Sequence, residues 1–131
     1  MKKIYIPGIF CLLLASCSDN VVSDPETIAF PDSNVSFRGH VQPYLNLSCV
    51  ASGCHNSATQ AGNTVLEGYN DLFYSLNPVL SLDPKVRPEN EKLIMIIERR
   101  LAHLDAYFMV RTSDAQKRGL RRWVEEGKKN N

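Results

Sequence analysis

The chain has 131 residues and nearly balanced charge, with 15 Lys and Arg against 14 Asp and Glu and a formal net charge of +1. That balance argues against a nucleic-acid partner, because neutralising phosphates needs a basic excess on one face. The length suits one folded domain, and neither an internal repeat nor a low-complexity tract is visible.

The N-terminus says where the chemistry happens. Lys2 and Lys3 precede "IYIPGIFCLLLA", an apolar run of about a dozen residues. That is short of the about 20 a spanning helix needs, so it reads as a signal peptide. The run ends in "LASC" (14–17), which resembles the lipobox of bacterial lipoproteins. The resemblance implies that residues 1–16 are a lipoprotein signal peptide and that Cys17 is acylated as a lipid anchor in the bilayer. Cys11 would leave with the leader, as would Lys2 and Lys3, so 13 basic groups would face 14 acidic ones. Outside the cytoplasm cysteines are oxidised or covalently used, which is the fate expected of Cys49 and Cys54. "SDNVVSDPETIAFPDSN" follows, with two prolines, several turn formers and no helical period. Residues 17–34 are therefore expected to form the lipidated N-terminus and a flexible tether, with the domain at 35–131.

Within the domain, "SFRGHVQPYLNL" (36–47) sets Phe37, Val41, Tyr44, Leu45 and Leu47 near helical spacing behind Ser36 as N-cap. Pro43 predicts a bent or two-part element. Residues 56–68 read as loop, "YNDLFYSL" (69–76) as a short helix, and the stretch holding Pro78, Pro84 and Pro88 as irregular. "NEKLIMIIERRL" (90–101) is the clearest helix, with Leu93, Ile94, Ile97 and Leu101 on one face. Glu89 and Glu91 complement the positive end of its dipole, Arg99 and Arg100 the negative end. Met95 is most simply core, and with Ile96 it widens the apolar stripe, suggesting burial on more than one side. In the last helix, Ser113 and Gln116 form a capping box, Leu120, Trp123 and Val124 an inward stripe, and Gly127 a C-cap. Ala115 and Gly119, four apart, would let another helix approach closely. The expected fold is all-α, three to five short helices with long loops. So few short helices bury little apolar surface, which leaves room for something else at the centre.

The chemistry concentrates at "CVASGCH" (49–55). Three explanations stand open on the residues alone. A Cys49–Cys54 disulfide would close a small local loop and contribute about 2–3 kcal/mol, but it explains neither His55 nor the thin core. A zinc site could recruit Cys49, Cys54, His55 and His40 or His103, although adjacent side chains diverge and make awkward ligands. Covalent haem uses both cysteines as thioethers and sets the following imidazole beneath the iron, as in C-x-x-C-H. The four-residue linker must bulge, and Gly53 permits the positive φ a bulge demands. A flat apolar cofactor would also give the long loops a core. Haem accounts for most of the observations.

"CVASGCHN" (49–56) further resembles the C-x4-C-H haem motif of a class of bacterial lipoprotein cytochromes c, often written C-x-x-S-G-C-H-N. "FRGHVQPYLNLSC" is similar to that family's lead-in, "LEGYNDL" (66–72) to its short haem-side segment, and "SDAQKRGLRRWVEEGKKNN" (113–131) to its C-terminal helix. The resemblance spans nearly all of 36–131. It implies a cytochrome c-like domain around one covalent haem c, held by Cys49, Cys54 and the axial ligand His55.

The family's distal methionine matches Met109, so the implied iron ligands are His55 and Met109. Val110 stands where the family carries a proline. His103, six residues before Met109, is the other candidate and would give a bis-histidine site of lower potential. His40 reads as a surface or hydrogen-bonding residue. The function implied is one-electron transfer between redox proteins of the cell envelope, on a periplasm-facing or outer-membrane-associated lipoprotein. Nothing pairs a nucleophile with a base, so catalysis is not expected. Two alternatives remain open: a haem enzyme or ligand-binding haem protein with an open distal site, and a non-haem interaction lipoprotein with a Cys49–Cys54 disulfide.

Overall fold

The computed structural model describes residues 24–51, 53–103 and 112–131. The signal peptide, Cys17 and Met109 lie outside the described residues. Among those described, the fold is mostly helical and contains no strand, in keeping with the all-α expectation. No described helix is long and apolar enough to cross a membrane.

The lead-in element is continuous and changes its winding twice, where Pro43 predicts a bent or two-part element. A π-helical stretch, Phe37–Val41, passes into helix α1, Gln42–Leu45, and then into a second π-helical stretch, Asn46–Val50. The wider i→i+5 bonds appear at both ends, Val41 N–H to Ser36 O at 3.3 Å and Ala51 N–H to Asn46 O at 2.7 Å. Ser36 caps the start by accepting from Gly39 N–H. Phe37, Val41, Tyr44 and Leu45 are buried; Leu47 is only half-buried.

Helix α2 is a single turn, Asp71–Tyr74, that buries Leu72 and Phe73. Helix α3 is shorter than its periodicity suggests. It runs only Lys92–Ile97, after a 3-10 turn at Pro88–Asn90. Its end is a Schellman turn: Arg99 N–H bonds Ile96 O at 2.9 Å and Arg100 N–H bonds Met95 O at 2.7 Å, with Arg99 left-handed at φ 58°. Leu93, Ile94 and Ile97 are buried as expected, but Leu101 falls beyond the turn and is exposed.

Helix α4, Asp114–Glu125, has both halves of its capping box, Gln116 N–H to Ser113 Oγ at 3.2 Å and Ser113 N–H to Gln116 Oε1 at 3.0 Å. It closes in a second Schellman turn, with Gly127 at φ 93°, Gly127 N–H on Val124 O and Lys128 N–H on Trp123 O. Leu120, Trp123 and Val124 face inward. Trp123 packs against Phe37 and Tyr69 at ring-centroid distances of 5.6 and 6.5 Å.

Two expectations change here. The stretch 24–34, read as flexible tether, is laid along α4: Ile28 and Phe30 pack on the core, and Glu126 accepts from Asn34 N–H and Val35 N–H at 2.8 and 2.9 Å. Gln116 also donates to the carbonyls of Pro25 and Ile28. The packed body thus begins ahead of Val35. The neighbour that exploits Gly119 is accordingly the Phe30 ring, not a helix, and Ala115 is exposed.

Candidate functional site

Residues 49–51 and 53–55 follow from the end of the lead-in helix with their backbone pinned at several points. Gly53 N–H bonds Val50 O at 2.9 Å, and His55 N–H reaches back to Cys49 O at 3.2 Å, closing the loop on itself. Gly53 takes φ 76°, the left-handed conformation expected of a four-residue linker. Downstream, the Asn56 carboxamide accepts from Ala58 and Thr59 N–H, and Thr59 Oγ1 donates to Cys54 O at 2.8 Å. Leu66 N–H bonds His55 O at 2.9 Å. The "loop-like" 56–68 is therefore a folded bracket that holds the motif.

Cys49, Cys54 and His55 line one wall of a cavity of about 610 Å³, inside the about 300–1,000 Å³ typical of cofactor and small-molecule clefts. The facing wall comes from α3 and the chain beyond it. Leu93, Ile96, Ile97 and Leu101 are there, with Leu66 and Val79 completing an apolar surround. Ile96 thus answers the widened stripe of α3: Ile94 faces the core while Ile96 faces the cavity. Polar groups are few and sit at defined points, among them Thr64 and the Lys92–Asn77 pair, in which Lys92 Nζ donates to Asn77 Oδ1. Burial pushes the Cys49 thiol up to about 12, with neighbouring Cys54 adding to it. The burial favours the thiol over the thiolate.

The two histidines of this site meet across the cavity. His55 Nδ1–H donates to Thr64 O at 3.3 Å, which leaves the lone pair on Nε2. That nitrogen lies 3.5 Å from His103 Nε2, with ring centroids 5.8 Å apart. A backbone carbonyl on the far nitrogen is the arrangement that fixes the tautomer and direction of a metal-ligating imidazole. His103 reaches this position because the Schellman turn at the end of α3 redirects the chain. A helix continuing to residue 101 would have carried it elsewhere.

The remaining expected residues fall outside the site. His40 accepts from Ser36 N–H through Nδ1 at 2.9 Å, the hydrogen-bonding role foreseen for it. Met95 is half-buried and off the cavity wall. Among the described residues no group of three or more His, Cys, Asp and Glu side chains is placed to hold a metal ion on its own, short of the donor set zinc requires. Sequence reasoning missed Lys92, Asn77 and the Thr64 carbonyl. Only Lys92 carried a signal, as a lone cation at the start of an otherwise apolar helix.

Comparison of the chain with protein-family models, with curated proteins and with solved structures returned no match.

Proposed function

We propose that this protein is a mono-haem c-type cytochrome, tethered to the cell envelope through Cys17, that passes single electrons between redox proteins. The observation that carries the reading is the cavity itself. It is apolar, of cofactor size, and walled by two cysteines and an imidazole whose lone pair is aimed across it. A disulfide would account for the cysteines and leave the apolar cavity and the aligned imidazole without a purpose.

The donor set suits covalent haem. Each cysteine S–H would add across a vinyl C=C, sulfur to one carbon and hydrogen to the other, with no leaving group and no oxidant. His55 supplies the proximal nitrogen, held by Thr64. The walls of Leu66, Val79, Leu93 and Ile96 exclude water from the macrocycle, and Lys92 at the cavity offers a cation for a propionate. Bound haem supplies a reversible one-electron couple; the chain's part is to fix its ligands and its burial.

Haem staining on a denaturing gel, with non-reducing mass measurement, tests this on protein purified from its own cell envelope. A stained band and a mass raised by one haem are expected. A colourless chain whose mass shows only the hydrogens lost to a Cys49–Cys54 disulfide overturns it.

A further inference from the structure

The geometry points to His103 as the second axial ligand of the proposed haem, making it a bis-histidine centre. This assignment rests on the haem reading above and concerns which side chain closes the distal face.

Three observations converge. His103 Nε2 stands 3.5 Å from His55 Nε2, within about 0.5 Å of the about 4 Å that separates two imidazole nitrogens bound on opposite sides of one metal ion. Second, the Thr64 carbonyl holds His55 through Nδ1, which turns its Nε2 edge toward His103. Third, the left-handed turn at Arg99 is what delivers His103 to the cavity wall. A non-glycine residue there costs about 1–2 kcal/mol, so a strained turn holds a titratable ring opposite the proximal ligand. Ala102 beside it is small and also lines the cavity, leaving the approach to that face uncrowded.

The consequence is a low-spin site of lower potential than a His/Met centre, with no position open to a gas or peroxide. One set of holoprotein measurements separates haem attachment from axial ligation. The oxidised wild type is expected to be low-spin without a sulfur-to-iron charge-transfer band, and reduced protein to bind carbon monoxide slowly. Met109→Leu should leave spectrum and potential unchanged. His103→Ala should turn the iron high-spin and speed carbon monoxide binding at least tenfold, and His103→Met should create the sulfur band and raise the potential. If His103→Ala does not accumulate, the wild-type and Met109→Leu spectra still decide. A sulfur-to-iron band in the wild type that Met109→Leu removes overturns the assignment and leaves the cytochrome reading intact. So does a high-spin wild type that binds carbon monoxide at once. A chain carrying no covalent haem overturns the cytochrome reading and this assignment together.

Discussion

A Cβ atom placed on Gly119 of helix α4 would stand 2.3 Å from Cβ and Cγ of Phe30, so the last helix and the segment ahead of the domain share one contact that only glycine permits. The Phe30 Cβ is set by the backbone, so rotamer changes cannot move it aside. Gly119→Ala should therefore lift residues 24–34 off α4 at about 1–3 kcal/mol. Phe30→Gly alone, which removes the ring and the Cβ, loses the burial of a partly exposed phenylalanine. In the double variant Gly119→Ala with Phe30→Gly the clash is gone, and the two losses should fall short of additivity. Urea unfolding of the four proteins checks this; strict additivity would mean that Phe30 is not the obstacle.

Lys128 and Glu91 form a buried ion pair at 2.6 Å, with Glu91 also accepting from Ser81 N–H and Lys128 donating to Ser81 O. Removing one partner strands the other charge. Lys128→Ala should cost about 3–5 kcal/mol, whereas Glu91→Gln with Lys128→Met should recover most of that loss, because the pair's own desolvation cost vanishes with it. Chemical denaturation of single and double variants measures the difference. A double variant as unstable as Lys128→Ala would count against the charge argument.

Glu98, at the end of α3, gives a pH dependence with a definite sign. Burial pulls its carboxyl upward, but hydrogen bonds and charge from Arg121 and Arg100 outweigh that and hold it below its ordinary 4.5. Glu89 shares Arg121 at 3.7 Å. A depressed carboxyl contributes stability that is fully present above the ordinary value and lost as pH falls through the lowered one. Unfolding free energy should thus decline on acidification from just above 4.5. Glu98→Gln should flatten that decline while costing about 1 kcal/mol or less at neutral pH. An unchanged acid limb in Glu98→Gln would assign it to other carboxylates.

Gly53 and Arg99 are both left-handed, one just before Cys54 and the other at the end of α3, and substitutions there should act oppositely. A Cβ on Gly53 meets nothing within 4 Å, so Gly53→Ala carries only the backbone cost, about 1–2 kcal/mol. It should also lower the yield of stained protein, since the cysteines must hold their spacing. Arg99→Gly should stabilise by about 1 kcal/mol by removing the same penalty. Thermal unfolding of both, with haem content per chain, tests the pair; a destabilised Arg99→Gly would show that its side chain matters more than its φ.

What the sequence reveals about this fold is mostly what is local. The Ser113–Gln116 box, the Gly127 terminus and the left-handed Gly53 each depend on residues within a few positions, and each is present, whereas the element stays continuous through Pro43. Signals fail where the partner is distant or is backbone. Glu91 sits where a dipole-complementing carboxylate belongs, yet its charge is claimed by Lys128, thirty-seven positions on. The end of α3 is invisible because arginine occupies the place where glycine would announce a Schellman turn. Phe30 hides in a run of prolines and turn formers that composition reads as tether. At the site, Cys49, Cys54 and His55 are legible together because covalent spacing is local, whereas Thr64 acts through a carbonyl that any residue possesses. Emphasis on Met109 came from family resemblance, and the proximity of His103 to His55 emerges only in three dimensions.

Trp123 is the chain's one tryptophan, and it lies wholly inside, its Nε1–H on Lys129 O, among Phe37 and Tyr69 and away from the cavity wall. Its light emission therefore comes from a single rigid position shielded from solvent quenchers. A porphyrin in the neighbouring cleft would absorb that emission by energy transfer, so dim ultraviolet fluorescence should distinguish filled molecules from empty ones in a mixed preparation, without a stain or a label.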